Sequence, residues 1–120
     1  MDVESPHDLF NELRGEVLSA VTFVQDYLQL AFDGPGISVF NPLTVATAGG
    51  TVTSWGPGFR DRLCGQIAKV VEGVEVREGE ALVVRFADGS TITVSLRAQD
   101  YEGPEAIHAL GFRGGQWTVI

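Results

Sequence analysis

The most regular alternation of apolar and polar positions lies in residues 63–96, LCGQIAKVVEGVEVREGEALVVRFADGSTITVSL. In ALVVRF, Leu82, Val84 and Phe86 share one face, and Ala81, Val83 and Arg85 share the other. In STITVSL, Ile92, Val94 and Leu96 oppose Thr91, Thr93 and Ser95. A period of two in β-branched residues predicts half-buried strands. Asp88-Gly89 between these strands, and Glu78-Gly79 one strand earlier, favour the positive φ angles of tight hairpin turns. Gly73 interrupts the preceding strand, where a bulge or bend is expected. Together they predict a three-stranded antiparallel meander over about 66–77, 80–87 and 90–96.

Residues 13–40, LRGEVLSAVTFVQDYLQLAFDGPGISVF, carry a similar pattern. Leu13-Arg14-Gly15 matches Leu63-Cys64-Gly65, and Val17 and Val21 match Ile67 and Val71. Leu28, Leu30 and Phe32 reproduce the face of Leu82, Val84 and Phe86, and Phe32-Asp33-Gly34 matches the turn from Phe86 to Gly89. Ile37 and Val39 then stand for Ile92 and Val94. Each meander is preceded by a short helical signal. In SPHDLFNELRG, Ser5 is an N-cap, Pro6 takes the first helical position and Asp8 completes an S-x-x-D capping arrangement. Leu9, Phe10 and Leu13 share one helical face, and Gly15 sits where a left-handed C-cap belongs. GPGFRDRLCG repeats this with Phe59, Leu63 and Gly65.

Between the meanders, NPLTVATAGGTVTSWGPG predicts a short hairpin turning at Gly49-Gly50. After them, short strands are expected at about 106–110 and 116–120, and the apolar end of QWTVI points to a paired segment. The expected architecture is α+β and mostly antiparallel β. It comprises two repeated helix-plus-three-strand units, about 5–42 and 55–97, and an extension at 98–120. Two meanders with one apolar face each form a sandwich or half-barrel, with the short helices as caps. No linker divides the chain, so residues 1–120 are expected to be one domain.

Charge narrows the partners. The chain has sixteen acids against eight Lys and Arg, a formal charge of −8, and Lys69 is its one lysine. Nucleic acid binding needs clustered cations that release counterions, so nucleic acid is excluded, and anionic membranes are disfavoured for the same reason. No apolar run approaches the roughly 20 residues of a membrane helix. The opening MDVESPHDLF lacks the basic-then-apolar order of a signal peptide, and a lone cysteine suits a reducing compartment, so a cytoplasmic location is expected.

No motif fixes a chemistry. Two histidines, His7 and His108, and one cysteine provide no metal-ligand spacing, so no metal and no cofactor is expected. Cys64 reads as a buried structural thiol at a helix end, with Arg60 and Arg62 as the neighbours that could activate it. The glycine-rich stretches GPGF, GFRGG and TAGGT match no phosphate-binding loop. The densest set of unusual residues is in the tail. His108, Glu105 and Tyr101 are the catalytic candidates, with His108 beside Glu105 or Glu102 as a proton-transfer pair. Trp117, Arg113 and Glu102 are the candidates for contacting a ligand or partner. Trp55, like Trp117, reads as a core lid or an interface anchor.

The L-x-G start, the V-E-V…L-V-V-R-F-A-D-G-S hairpin and the L-R-x-x-D-Y-x-G-P-E-A segment resemble a family of small bacterial proteins of unknown function. The likeness implies no activity, cofactor or site residue. The leading expectation is therefore a non-enzymatic protein-interaction or binding module. Its partner is a second copy, giving a homodimer, or another, basic protein. An immunity-like form, neutralising a basic toxin, expects Glu72, Glu75, Glu78 and Glu80 along one exposed flank. The alternative is a small enzyme or small-ligand-binding protein with a pocket on which His108 and a carboxylate converge. A structural subunit of a larger assembly would instead expose a large apolar patch.

Overall fold

The computed structural model describes residues 6–112 and 120. The rest of the expected strand at 116–120, the cap Ser5 and the candidates Arg113 and Trp117 lie outside the described residues. Among the described residues two short α-helices, α1 (Pro6–Phe10) and α2 (Phe59–Cys64), accompany nine strands. The first meander is β1 (Leu18–Phe23), β2 (Leu28–Phe32) and β3 (Gly36–Val39). A hairpin of β4 (Leu43–Thr47) and β5 (Gly50–Thr53) follows. The second meander is β6 (Val71–Arg77), β7 (Ala81–Phe86) and β8 (Thr91–Ser95), and β9 (Ile107–Leu110) ends the series. All pairings are antiparallel, in a four-stranded sheet β1-β2-β3-β9 and a five-stranded sheet β5-β4-β8-β7-β6.

The fourth strand of each sheet crosses over. β4 leaves the first meander and pairs with β8, whereas β9 leaves the second and pairs with β3. Crossing at Phe40–Pro42 is held by the Phe40 amide donating to the Ala106 carbonyl at 2.8 Å and the Ser95 amide donating to Pro42 at 3.0 Å. Buried Asn41 adds a bond from its side-chain amide to the Ser95 carbonyl at 2.8 Å. Beyond β9, Ile107 and Ile120 exchange amide–carbonyl bonds of 2.9 and 3.1 Å.

The two sheets also meet at one edge. Val17 and Val70 form an antiparallel bridge. Around it the Gly15 amide donates to Val71 (2.8 Å) and Ala68 to Leu18 (2.7 Å), while Leu18 donates to Lys69 (3.1 Å) and Val71 to Glu16 (2.8 Å). Beside this bridge both meanders begin with a bulge, at Ser19 opposite Phe32 and at Glu72 opposite Phe86. Gly73 was thus a correct bulge signal: its bare Cα leaves room for the Arg85 guanidinium, which a Cβ there would approach to 3.0 Å.

Alternation puts the expected faces inward. Leu28, Leu30 and Phe32 and their counterparts Leu82, Val84 and Phe86 are buried, with Ile37, Val39, Ile92 and Val94 beside them. Burying each such side chain contributes roughly 1.5–3 kcal/mol. α1 packs on β6, the strand of the other meander, and α2 packs on β1, β4 and β5.

Three local expectations are corrected. The second meander starts at Val71, because residues 66–70 turn tightly after α2 and leave Ile67 exposed. The match of Val17 with Ile67 and Val21 with Val71 is therefore displaced, since the residues opposite Phe32 and Phe86 are Leu18 and Val71. Gly65 is right-handed (φ −65), and the left-handed residue in that turn is Ala68 (φ 79), whereas Gly15 does take the expected positive φ of 85.

A polar latch fixes the β7–β8 turn. Lys69 Nζ lies 2.7 Å from Asp88 Oδ2 and donates to the Gln66 amide oxygen at 2.9 Å. Asp88 Oδ1 accepts from the Ser90 hydroxyl (2.6 Å) and the Ser90 amide (2.9 Å). Hydrogen bonds from Lys69 and Ser90 hold the Asp88 carboxyl well below the ordinary value of 3.8. Ionisation thus favours the folded state above that ordinary value, and the contribution is lost as pH falls through the lower folded value. Asp88→Asn is expected to melt below the parent at pH 7, with the gap narrowing steadily below pH 4 in a melting series. At the exit of β9, Gly111 has φ 73, and an added Cβ would stand 2.7 Å from the Gly34 carbonyl oxygen. Gly111→Ala is expected to cost roughly 2 kcal/mol or more in urea unfolding, combining left-handed strain with a backbone clash.

Candidate functional site

The tail candidates separate in space. His108 pairs across β9 with Ser38 of β3, and its neighbours Ile107 and Ala109 are the ones pointing into the core. Glu102 and Glu105 instead line a cavity of about 390 Å³ with Asp26, Phe40, Gly103 and Pro104. Tyr101 lies in a third place, a hollow of about 230 Å³ shared with Val76, Glu78, Gly79, Leu96 and Ile120. Glu102 and Glu105 thus share a cavity whose described lining does not include His108.

The acidic cavity forms where three connections meet: the β1–β2 turn with Asp26, the β3–β4 crossing with Phe40, and the 102–105 loop before β9. The turn is closed by the Val24 amide donating to Tyr27 at 2.8 Å, and the loop by the Phe40–Ala106 bond at the crossing. The Tyr27 and Phe40 rings stack at 5.2 Å with an interplanar angle of 39°, which gives the wall an aromatic backing. Glu105 and Phe40 are half-buried, and Asp26 and Glu102 are exposed. Among the described residues that line it, none is a cation. Three carboxylates and a ring face suit an organic cation, through charge-assisted hydrogen bonds and cation–π attraction. Among the described residues no group of three or more His, Cys, Asp or Glu is disposed to hold a metal ion. Sequence reasoning found Glu102 and Glu105 but missed Asp26, whose only signal was its place in a turn.

Another hollow, of about 460 Å³, lies on the outer face of the five-stranded sheet. Thr44, Thr53, Thr93 and Ser95 line it, and Arg77 and Arg97 are balanced there by Glu80 and Asp100. That balance offers a charged ligand little net attraction. Three glutamates of the second meander lie along Arg77 and the neighbouring hollows. Glu75 is bound to Arg77 at 2.6 Å, Glu80 lies in this hollow, and Glu78 lines the separate one beside Tyr101.

Trp55 is a half-exposed lid with φ 65, packed edgewise on Phe23 at 6.3 Å and Phe59 at 5.6 Å. Arg60 stacks over both Phe23 and Trp55, while Arg62 donates to Thr47 and to the Gly50 carbonyl. Both guanidinia are therefore directed at other partners than Cys64. Cys64 is exposed, which corrects the expectation of a buried thiol: Leu63 takes the inward place at the end of α2. Comparison with protein-family models, with curated proteins and with solved structures finds no match. No helix among the described residues is long and apolar enough to cross a membrane.

Folded protein is expected to react with a colorimetric disulfide reagent at its one thiol without denaturant, at a rate within about tenfold of the unfolded chain. A lag removed only by denaturant would show the thiol to be shielded.

Proposed function

We propose that the protein is a non-enzymatic interaction module that takes a basic side chain of a protein partner into the acidic cavity. The observation that carries this is the set Asp26, Glu102 and Glu105 around Phe40, with no cation among the described lining residues. The rest of the chain reinforces it. Most basic groups are engaged internally: Lys69 by Asp88, Arg77 by Glu75, Arg14 by the Glu72 carbonyl, Arg60 by two rings and Arg62 by the β4–β5 hairpin. A net charge of −8 steers a basic partner toward this surface. A cytoplasmic setting goes with an exposed free thiol, which a reducing compartment keeps from oxidising.

The scaffold is read as two repeated helix-plus-three-strand units. Supporting this are the matched bulges at Ser19 and Glu72, the paired hydrogen bonds around the Val17–Val70 bridge, and the reciprocal crossing of β4 and β9.

Binding of short lysine- or arginine-rich peptides, measured by titration calorimetry, is expected to weaken steeply with salt. Two charge contacts of up to about 1 kcal/mol each make the Glu102→Gln, Glu105→Gln double variant weaker by up to roughly thirtyfold. Equal affinity for acidic and basic peptides, or an unaffected double variant, would sink the proposal.

A further inference from the structure

Neither meander completes its own sheet or covers its own apolar face. β3 is extended by β9 and β8 by β4, and α1 and α2 each lie on the opposite meander. The chain joins the two halves only through the segment 54–58, between β5 and α2. That segment is bent back tightly. The Gly56 amide donates to Thr53 at 3.0 Å, and the Phe59 amide donates to Gly56 at 3.2 Å. Its bend places Trp55, a residue with a bulky side chain, at φ 65, and Gly58 at φ 77. Left-handed backbone at a tryptophan is strained, and an extended linker would relieve it.

Everything that holds one half to the other is a contact between complementary surfaces. None of the strand pairings between halves, nor the Val17–Val70 bridge, depends on the two halves belonging to the same chain. We propose that the protein exchanges halves with a second copy of itself, giving a dimer in which each lobe combines residues up to β5 of one chain with α2 onward of the other. The inference rests on the two-unit reading of the scaffold and is independent of the acidic cavity. Its partner is fixed by continuity: the exchanged surface is the one the halves already share. A short flexible connection gives the other half an effective concentration of about 1 mM, so exchange competes when chains refold at comparable concentration. Once formed, the lobes are closed by the full set of native pairings, and interconversion requires unfolding.

The test uses the full chain, unfolded in denaturant and refolded at about 1 mM and about 1 µM, then sized by chromatography with light scattering. The expected result is a species of twice 12.9 kDa after concentrated refolding and monomer after dilute refolding, with the same circular dichroism. Deleting Trp55, Gly56 and Pro57 removes the reach needed to fold back, and dimer is expected even after dilute refolding. Inserting ten Gly and Ser residues after Gly56 is expected to lower the dimer fraction about fivefold or more after concentrated refolding, because the relaxed link favours closure within one chain. If the deletion variant fails to fold, the insertion variant decides. Monomer alone after concentrated refolding overturns the proposal. So does a dimer fraction unchanged by the insertion, which would mark side-by-side association. A change in peptide affinity at the acidic cavity has no bearing on either outcome.

Discussion

The structure depends on reciprocal completion of its two sheets. A three-stranded meander with one apolar face is marginal alone, because the strands fix many residues while one side of the face stays wet. Here each meander receives a fourth strand and a helix from the other half, and the bridge at Val17 and Val70 ties their edges together. The bulges at Ser19 and Glu72 sit where this edge forms, and a bulge adds the local twist that turns a strand out of its own sheet. The core residues Phe32 and Phe86 lie directly opposite those bulges, so burial and curvature are coupled at the same two places.

The acidic cavity is a by-product of the same crossing. Phe40 lies in the short connection that carries the chain from one sheet to the other, and the loop that brings Glu102 and Glu105 runs into the reciprocal crossing strand. The turn with Asp26 completes the rim. Because the walls are anchored to strand ends, the carboxylates hang from a scaffold that the Phe40–Ala106 and Asn41–Ser95 bonds keep in register. Loops placed by a rigid frame are where recognition commonly resides.

Strands and turns were legible because their signals are local. Period-two alternation located β2, β3, β7 and β8, Gly73 marked the bulge, and Asp88-Gly89 marked the hairpin. Strand order was not legible, since nothing within β4 or β9 says which meander it will join; that is decided by the fit of long-range surfaces. The displaced match of Val21 with Val71 has a related cause. Counted from the matched glycines Gly15 and Gly65, the path to the strand is longer in the second meander, and a left-handed Ala68 gives no warning in sequence. Cys64 was misjudged because Phe59 and Leu63 take the inward places of a helix of six residues. At the tail, alternation along β9 sets His108 on the face away from the buried Ile107 and Ala109, and the loop before it carries Glu102 and Glu105 to the acidic cavity.

The Lys69 latch has a consequence for chemical labelling. Lys69 is the chain's one side-chain amine, it is 27% exposed, and it holds the turn that starts β8. Acylation would exchange its ammonium for a neutral amide and leave Asp88 without its cation. Amine-directed reagents that reach Lys69 therefore act on a fastening of the fold.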